Sequence, residues 1–257
     1  MMRVTATGVS RRLKALTQWV FPPVCVQTGT PTRSLDLSAP LWAEMAKQTE
    51  QRFCSRCALP VAPSAPSEVC GACLQRPPPY EHTRAAFRYQ DLARDWVQAM
   101  KYGPDMSYAE VMAQCWYRRL GAMQAPVAEP VYLIPVPLHP DRLRERGFNQ
   151  SLELAKRLAA LNGTHQWVVC ADWVRRVQPT SPQASLSAKA RQDNLKQAFQ
   201  LTAQGREHLA MLKQGTVVMV DDVMTTGSTL FSLGQRLRQP NPRLRLEAWV
   251  FARANVN

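Results

Sequence analysis

The most constraining stretch of the chain is GTVVMVDDVMTTGSTLFSLG, residues 215–234. Its apolar, β-branched start after a glycine reads as a buried strand, and STLFSLGQRLR behind it reads as a helix. Strand, tight turn and helix in that order belong to an α/β sheet, and such sheets bind ligands at the carboxyl ends of their strands. At that end stand two adjacent acids, Asp221 and Asp222, followed by Thr225, Thr226, Gly227, Ser228 and Thr229. Carboxylates repel phosphate, whereas hydroxyls and backbone N–H groups opening a helix attract it. A ligand with a diol at one end and a phosphate at the other satisfies both, which describes a ribose 5-phosphate unit. The plainer alternative is a strand–turn–helix with an acidic edge and a Ser/Thr cap. A P-loop is excluded, because no Gly-Lys-Ser/Thr follows.

The remaining pattern agrees with an α/β class. Strands are expected at AAFRY, at VYLIPV (131–136), at QWVVCA, at TVVMV and at LRLEAWVFA. Helices are expected at LWAEMAKQTEQRF, LARDWVQAMKY, SYAEVMAQCWYRRLGAM, NQSLELAKRLAALNG and STLFSLGQRLR, with a shorter amphipathic one at RRLKALTQWVF. Alternating strands and helices predict a mainly parallel sheet flanked by helices. Between WVRR and AFQL runs a long polar segment rich in Pro and Ser, the kind of loop that is functional or mobile inside a compact domain.

Four of the seven cysteines fall in two Cys-x-x-Cys pairs: Cys54, Cys57, Cys70 and Cys73. The segment around them is Pro-, Ala- and Ser-rich and too poor in large apolar groups to order itself without a staple. Two such pairs supply four thiolates, a closed tetrahedral set for structural Zn2+ whose binding would provide the missing folding free energy. A redox dithiol is the rival reading, but CSRCALP runs into a proline and not a helix. Cys115 and Cys170 lie in apolar patterns and read as core residues. Cys25 is ambiguous.

The net charge of +13 favours polyanions, from phosphorylated metabolites to nucleic acid, although a solvated basic surface would show the same number. No run approaches the roughly 20 apolar residues of a membrane span, so an integral membrane protein is not expected. The basic N-terminus has no continuous apolar region of a signal peptide, which makes the cytoplasm the default location.

VVMVDDVMTTGST resembles the signature of type I phosphoribosyltransferases. LIPVPLHPDRLRERGFNQSLELA, VRRVQPTSPQASLSAKARQDNLKQAF, CLQRPPPYEHTRAAFRY and MKYGPD narrow that resemblance to the ComF/GntX family, over residues 53–254. It implies a type I phosphoribosyltransferase-like domain at 81–257, a zinc ribbon at 51–80, and at 1–50 an extension holding at most a degenerate zinc module. In that extension Cys25 remains, but Thr28 stands where a second cysteine would fall. The resemblance assigns Asp221 and Asp222 to ribose hydroxyls and Thr225–Thr229 to the 5-phosphate of 5-phosphoribosyl 1-diphosphate (PRPP). Val136, Pro137, Leu138 and His139 become the pyrophosphate loop, with Arg142, Arg146 and Asn149 beside it. Residues 179–196 become a hood closing through Gln183, Arg191 and Asn194. A loop histidine such as His139 is otherwise a surface hydrogen-bonder, and Arg142 and Arg144 otherwise a solvated helix start. The implied activity is phosphoribosyl transfer with Mg2+, in a role linked to DNA uptake. The alternative is a non-catalytic competence accessory protein that handles single-stranded DNA and meets other competence proteins.

Overall fold

The computed structural model describes residues 22–32, 36–47, 51–103, 107–122, 130–163, 166–178 and 198–255. The expected RRLKALTQWVF helix lies outside them. The central strand, β6, spans Thr216–Met224, beyond the Val220 end expected from hydrophobicity. The backbone ladder sets its length, since Asp221 and Val223 still pair with Val250 and Ala252 of β7 (Leu246–Arg253). The sheet is completed by β1 (His82–Arg88), β2 (Val131–Pro135) and β3 (Trp167–Val169), in the order β1-β7-β6-β2-β3. Every pairing in it is parallel.

Both faces of the sheet are covered, as a parallel sheet requires. Successive side chains of a strand point to opposite faces. Val218 and Val220 join one core with Trp96, Val97 and Met100 of α3 (Asp91–Tyr102), Trp116 of α4 (Ser107–Ala122) and Leu154 and Leu158 of α6 (Gln150–Asn162). Val217 and Met219 join the other with Leu230, Leu233 and Leu237 of α8 (Ser228–Arg238). Asn149 caps α6 by accepting from Ser151 N and Leu152 N, and Gly163 ends it in the left-handed conformation.

Several elements were not expected from the sequence. β4 (Val174–Arg176) and β5 (Phe199–Leu201) form an antiparallel ribbon, and α7 (Ala203–Met211) follows it. Thr202 caps α7 through Gly205 N at 3.0 Å. A side chain at Gly205 would meet the Trp173 carbonyl oxygen at 2.2 Å, so glycine alone lets this helix lie against the ribbon. Among the described residues no helix is long and apolar enough to cross a membrane.

The cysteine segment folds as a knuckle, residues 52–61, followed by α2 (Gly71–Gln75). Cys54 N donates to Leu59 O, Ala58 N to Cys54 O, Val61 N to Arg52 O and Ser55 N to Glu68 O. The same four bonds recur upstream: Cys25 N to Thr30 O, Gly29 N to Cys25 O, Thr32 N to Pro23 O and Val26 N to Asp36 O. Isolated bridges Val24–Pro31 and Phe53–Pro60 correspond, as do the positive φ angles of Gly29 (69°) and Ala58 (54°). Each knuckle leads into a helix, here α1 (Ala39–Lys47). In this correspondence Cys25, Thr28, Ser38 and Leu41 occupy the places of Cys54, Cys57, Cys70 and Cys73.

Candidate functional site

The four sulfur atoms of Cys54, Cys57, Cys70 and Cys73 lie within 4.8 Å of one another. Cys57 Sγ and Cys70 Sγ are 3.7 Å apart, which matches two corners of a tetrahedron whose Zn–S bonds are about 2.3 Å. Cys70 N donates to Cys54 Sγ at 3.2 Å. Burial raises the Cys54 pKa, but amide donors from Cys70, Cys57 and Arg56 outweigh it and bring the group to about 7. Burial and the Cys54 charge push Cys57 up to about 11, and burial and Cys57 push Cys73 far up. Four thiolates cannot coexist here without a cation, so the donor set fits a structural zinc ion.

The module is tied to the sheet by its backbone. Thr83 N and Oγ1 of β1 donate to Ser55 O and Arg56 O at 2.9 and 2.6 Å. Arg253, at the end of β7, is 4% exposed. Its Nε donates to Cys57 O at 2.7 Å and its Nη1 to Met224 O at 2.9 Å and to Thr225 O. One guanidinium therefore joins the cysteine knuckle to the turn that follows β6. A cavity of about 570 Å3 lies between the two, with Cys73, Arg76, Tyr80, Gly227 and Phe231 in its walls.

In that turn Gly227 has φ 79° and caps α8. A side chain there would be strained at this φ and would have to displace Met224 Cε, 2.6 Å away, so the turn favours glycine. Thr226 Oγ1 and Ser228 Oγ are 2.9 Å apart. Thr225, Thr226 and Ser228 are exposed, and Thr229 is half-buried. The expected loop is thus a hydroxyl-bearing rim at the N-terminus of an 11-residue helix.

The two acids leave β6 toward different partners. Asp222 is 7% exposed and meets Lys101 Nζ of α3 at 2.8 Å. Burial would deprotonate Lys101, but Asp222 and then Asp221 hold its pKa above the usual value. Asp221 Oδ1 accepts from Ser151 Oγ at 2.9 Å. Burial first, and the Asp222 charge second, raise the Asp221 pKa to about 7. Arg176 of β4 is near enough for Asp221 to counteract the burial that lowers its pKa.

The strand-end loop after β2 comes to the same place. Val136 N donates to Val220 O at 2.9 Å, and Asn149 Nδ2 donates to Val136 O at 3.0 Å. Val136, Asn149 and Asp221 are therefore one connected unit, followed by Pro137 and Leu138. His139 turns away to cap α5 (Pro140–Arg146), its Nδ1 accepting from Asp141 N at 3.3 Å. Arg142 pairs with Glu145 at 2.7 Å and Arg144 with Asp141, so both serve this exposed helix. Arg146 stacks 5.9 Å from the Tyr102 ring and adds positive charge beside Lys101. Gln183, Arg191 and Asn194 lie outside the described residues.

Sequence reasoning missed Lys101, Ser151, Arg176 and Arg253. Arg253 left a signal, since an arginine closing an otherwise apolar strand must find buried acceptors. Lys101 left none beyond its place in MKYGPD.

A five-stranded parallel sheet flanked by helices, carrying a four-cysteine module, defines the class of the protein. No family model matches the chain. DNA utilization protein YhgH of Salmonella typhimurium is 33% identical over 218 residues, 81% of this chain and 88% of that protein. Its Escherichia coli K12 counterpart is 31% identical over 219 residues, 81% and 87% of the two chains. Competence protein F of Haemophilus influenzae is 30% identical over 197 residues, 73% and 80%. The chain belongs to the ComF/GntX family.

Proposed function

We propose that the protein binds PRPP or a related ribose 5-phosphate ligand with Mg2+ at the end of β6, and transfers the phosphoribosyl group. The observation that carries this reading is the continuous unit of Asp221, Asp222 and the glycine turn into α8. The 5-phosphate would take the 225–229 hydroxyls and the first N–H groups of α8, where the helix dipole favours an anion. The ribose diol would donate to Asp221 and Asp222. Val136–His139 would receive the diphosphate, with Lys101 and Arg146 as the nearby cations. Mg2+, a hard ion needing oxygen donors, would neutralise the leaving diphosphate and take most of its ligands from it. Asp221 suits that arrangement better than Asp222, which Lys101 already holds. The residues work by positioning and charge complementarity. In the same reading residues 51–80 are a zinc ribbon, 81–257 the ligand-binding domain and 1–50 an extension.

Calorimetric titration of PRPP with Mg2+ tests the proposal. We expect saturable heat in the wild type and loss of binding in Asp221→Ala/Asp222→Ala. Equal affinity in both proteins would overturn it.

A second reading rests on the +13 charge and on relatives named for DNA utilisation and competence. The protein would then handle single-stranded DNA through phosphate contacts, with or without catalysis. Anisotropy of a labelled oligodeoxythymidylate across a salt series decides it, and no binding at low salt removes it.

A further inference from the structure

A separate cavity of about 360 Å3 lies between the first cysteine knuckle and edge strand β1, within the size range of small-ligand sites. Phe53 and Ser55 come from the knuckle, Arg84 and Arg88 from β1 and Arg119 from the last turn of α4. Four arginines line it, Arg253 being the fourth, and among the described lining residues there is no carboxylate. Three of these arginines are answered from the protein. Arg84 Nε meets Glu247 at 2.9 Å, Arg253 donates to carbonyls, and Arg88 donates to Asn255 Oδ1.

Arg119 differs. Its Nε is cut off from solvent and has no hydrogen-bond partner among the described residues. Burial lowers its pKa, and among the described residues no neighbouring charge offsets that. Nε alone is shut away; the residue as a whole is half-buried and lines the cleft, so its guanidinium is a positive charge that the cleft presents with no carboxylate among its described lining residues. The cleft also offers a flat apolar surface. Phe53 is half-buried, and the Arg88 guanidinium stands 6.0 Å from its ring centroid. Phe rings and guanidinium planes are the surfaces on which nucleobases stack, and the arginine fork is the group that grips phosphate.

We propose that this cleft binds a nucleotide, with its phosphate on Arg119 and Arg88 and its base against Phe53. The site is distinct from the β6 end and independent of the PRPP reading. It rests on the nucleic-acid reading only where the nucleotide belongs to a strand.

The test uses the full chain with its metal. dTMP is titrated by calorimetry, and a short oligodeoxythymidylate by anisotropy across a salt series. Arg119→Gln is expected to weaken whichever probe binds roughly ten- to a hundredfold, the range of one charge-assisted hydrogen bond. For the strand, the slope of log K against log salt should fall by about one. Phe53→Leu should weaken both base-bearing probes and leave inorganic phosphate unaffected. An effect on dTMP identifies a free nucleotide as ligand, and an effect confined to the oligonucleotide identifies a strand. PRPP titration and metal content should stay unchanged in Arg119→Gln, and its thermal midpoint should not fall, which separates a local loss from misfolding. If the wild type binds DNA and Arg119→Gln/Arg88→Gln binds it equally, the cleft assignment fails while the nucleic-acid reading stands. If the wild type binds neither probe, both fail. A silent Phe53→Leu overturns the placement of the base.

Discussion

Residues 52–75 and residues 23–47 share a backbone design and differ in what holds it. The first presents four cysteines; the second keeps Cys25 and replaces the other three with Thr28, Ser38 and Leu41. The electrostatics correspond as well. Cys25, like Cys54, is raised by burial but lowered overall to about 7, by Thr28 and by amides of Ser38, Gln27 and Thr28. Those donors are the counterparts of Cys70, Arg56 and Cys57. What replaces the cation is packing. Leu37 and Met45 are 2% and 1% exposed within the α3–α4 core, and Trp42 meets the Phe87 ring edge-on at 6.3 Å. Two polar ties add to this: Gln114 Nε2 to Asp36 Oδ2 at 3.0 Å, and Trp96 Nε1 to Gln27 Oε1 at 3.2 Å. Residues 23–47 repeat the backbone of the four-cysteine module and are held by the hydrophobic core instead of by four thiols. A staple can be ionic or apolar for the same backbone.

The largest expected effect separates the two staples directly. Cys57→Ser leaves three thiolates, and the metal content of the purified protein should fall from about one zinc per chain toward none. The 52–75 module then loses a closing free energy on the order of 10 kcal/mol, read as a lost or lowered unfolding transition. Cys25→Ser, in the same metal analysis and melt, should keep its zinc and lose at most about 1 kcal/mol, the scale of one neutral hydrogen bond. A Cys25→Ser protein that loses zinc would break the comparison.

A restoration experiment follows in size. With Thr28→Cys, Ser38→Cys and Leu41→Cys, the upstream module presents four thiols on the corresponding backbone, and zinc should rise from about one to about two per chain. A count that stays at one would show that the upstream backbone does not hold ligand geometry.

The cysteine pairs, the alternation of strands and helices, and the acid-to-hydroxyl turn were all legible in the sequence, because each rests on local spacing. Thr28 was legible as a missing ligand, but the fold of 23–47 was not. Thr28 to Ser38 is a step of ten residues where Cys57 to Cys70 is thirteen, and nothing about Ser38 or Leu41 marks the counterpart of a cysteine. The overrun of β6 past Val220 was hidden because pairing with β7, a long-range fact, sets the end of the strand. Lys101 was hidden for the same reason: 121 residues along the chain separate it from Asp222, and only the fold places them 2.8 Å apart. The ribbon of β4 and β5 is three residues a side, too short for a periodic signal.

Truncating the apolar staple is the next test. Leu37→Ala should cost about 2–5 kcal/mol in urea-induced unfolding, the range for a buried leucine, with the zinc content unchanged. A smaller cost accompanied by metal loss would mean that the two modules share one staple.

The same contrast between a compensated and an uncompensated group recurs inside β6, and there it sets a pH dependence. Asp222 has Lys101 in direct contact as its counter-ion, whereas Asp221 accepts from the Ser151 hydroxyl and the Asp222 amide and feels Lys101 only as a weaker, more distant charge. Burial and the Asp222 charge place the folded-state pKa of Asp221 at about 7, against an ordinary value of 3.8. Between those two pH values the folded chain holds a proton that the unfolded chain has released. Stability from this group therefore falls as pH rises through that window, and the full penalty is present above it. Asp221→Asn removes the charge and the slope together. The variant should be more stable than the wild type near pH 8, by up to about 4 kcal/mol, the full shift at about 1.36 kcal/mol per pH unit. The gap should shrink as pH falls and vanish near pH 4, where both side chains are neutral. Asp222→Asn should act in the opposite sense near pH 8, because it strands the buried Lys101 charge. Urea midpoints across the range measure all three proteins. A gap between Asp221→Asn and wild type that is constant with pH would mean that Asp221 is already charged and compensated in the folded protein. The contrast between the two acids would then disappear.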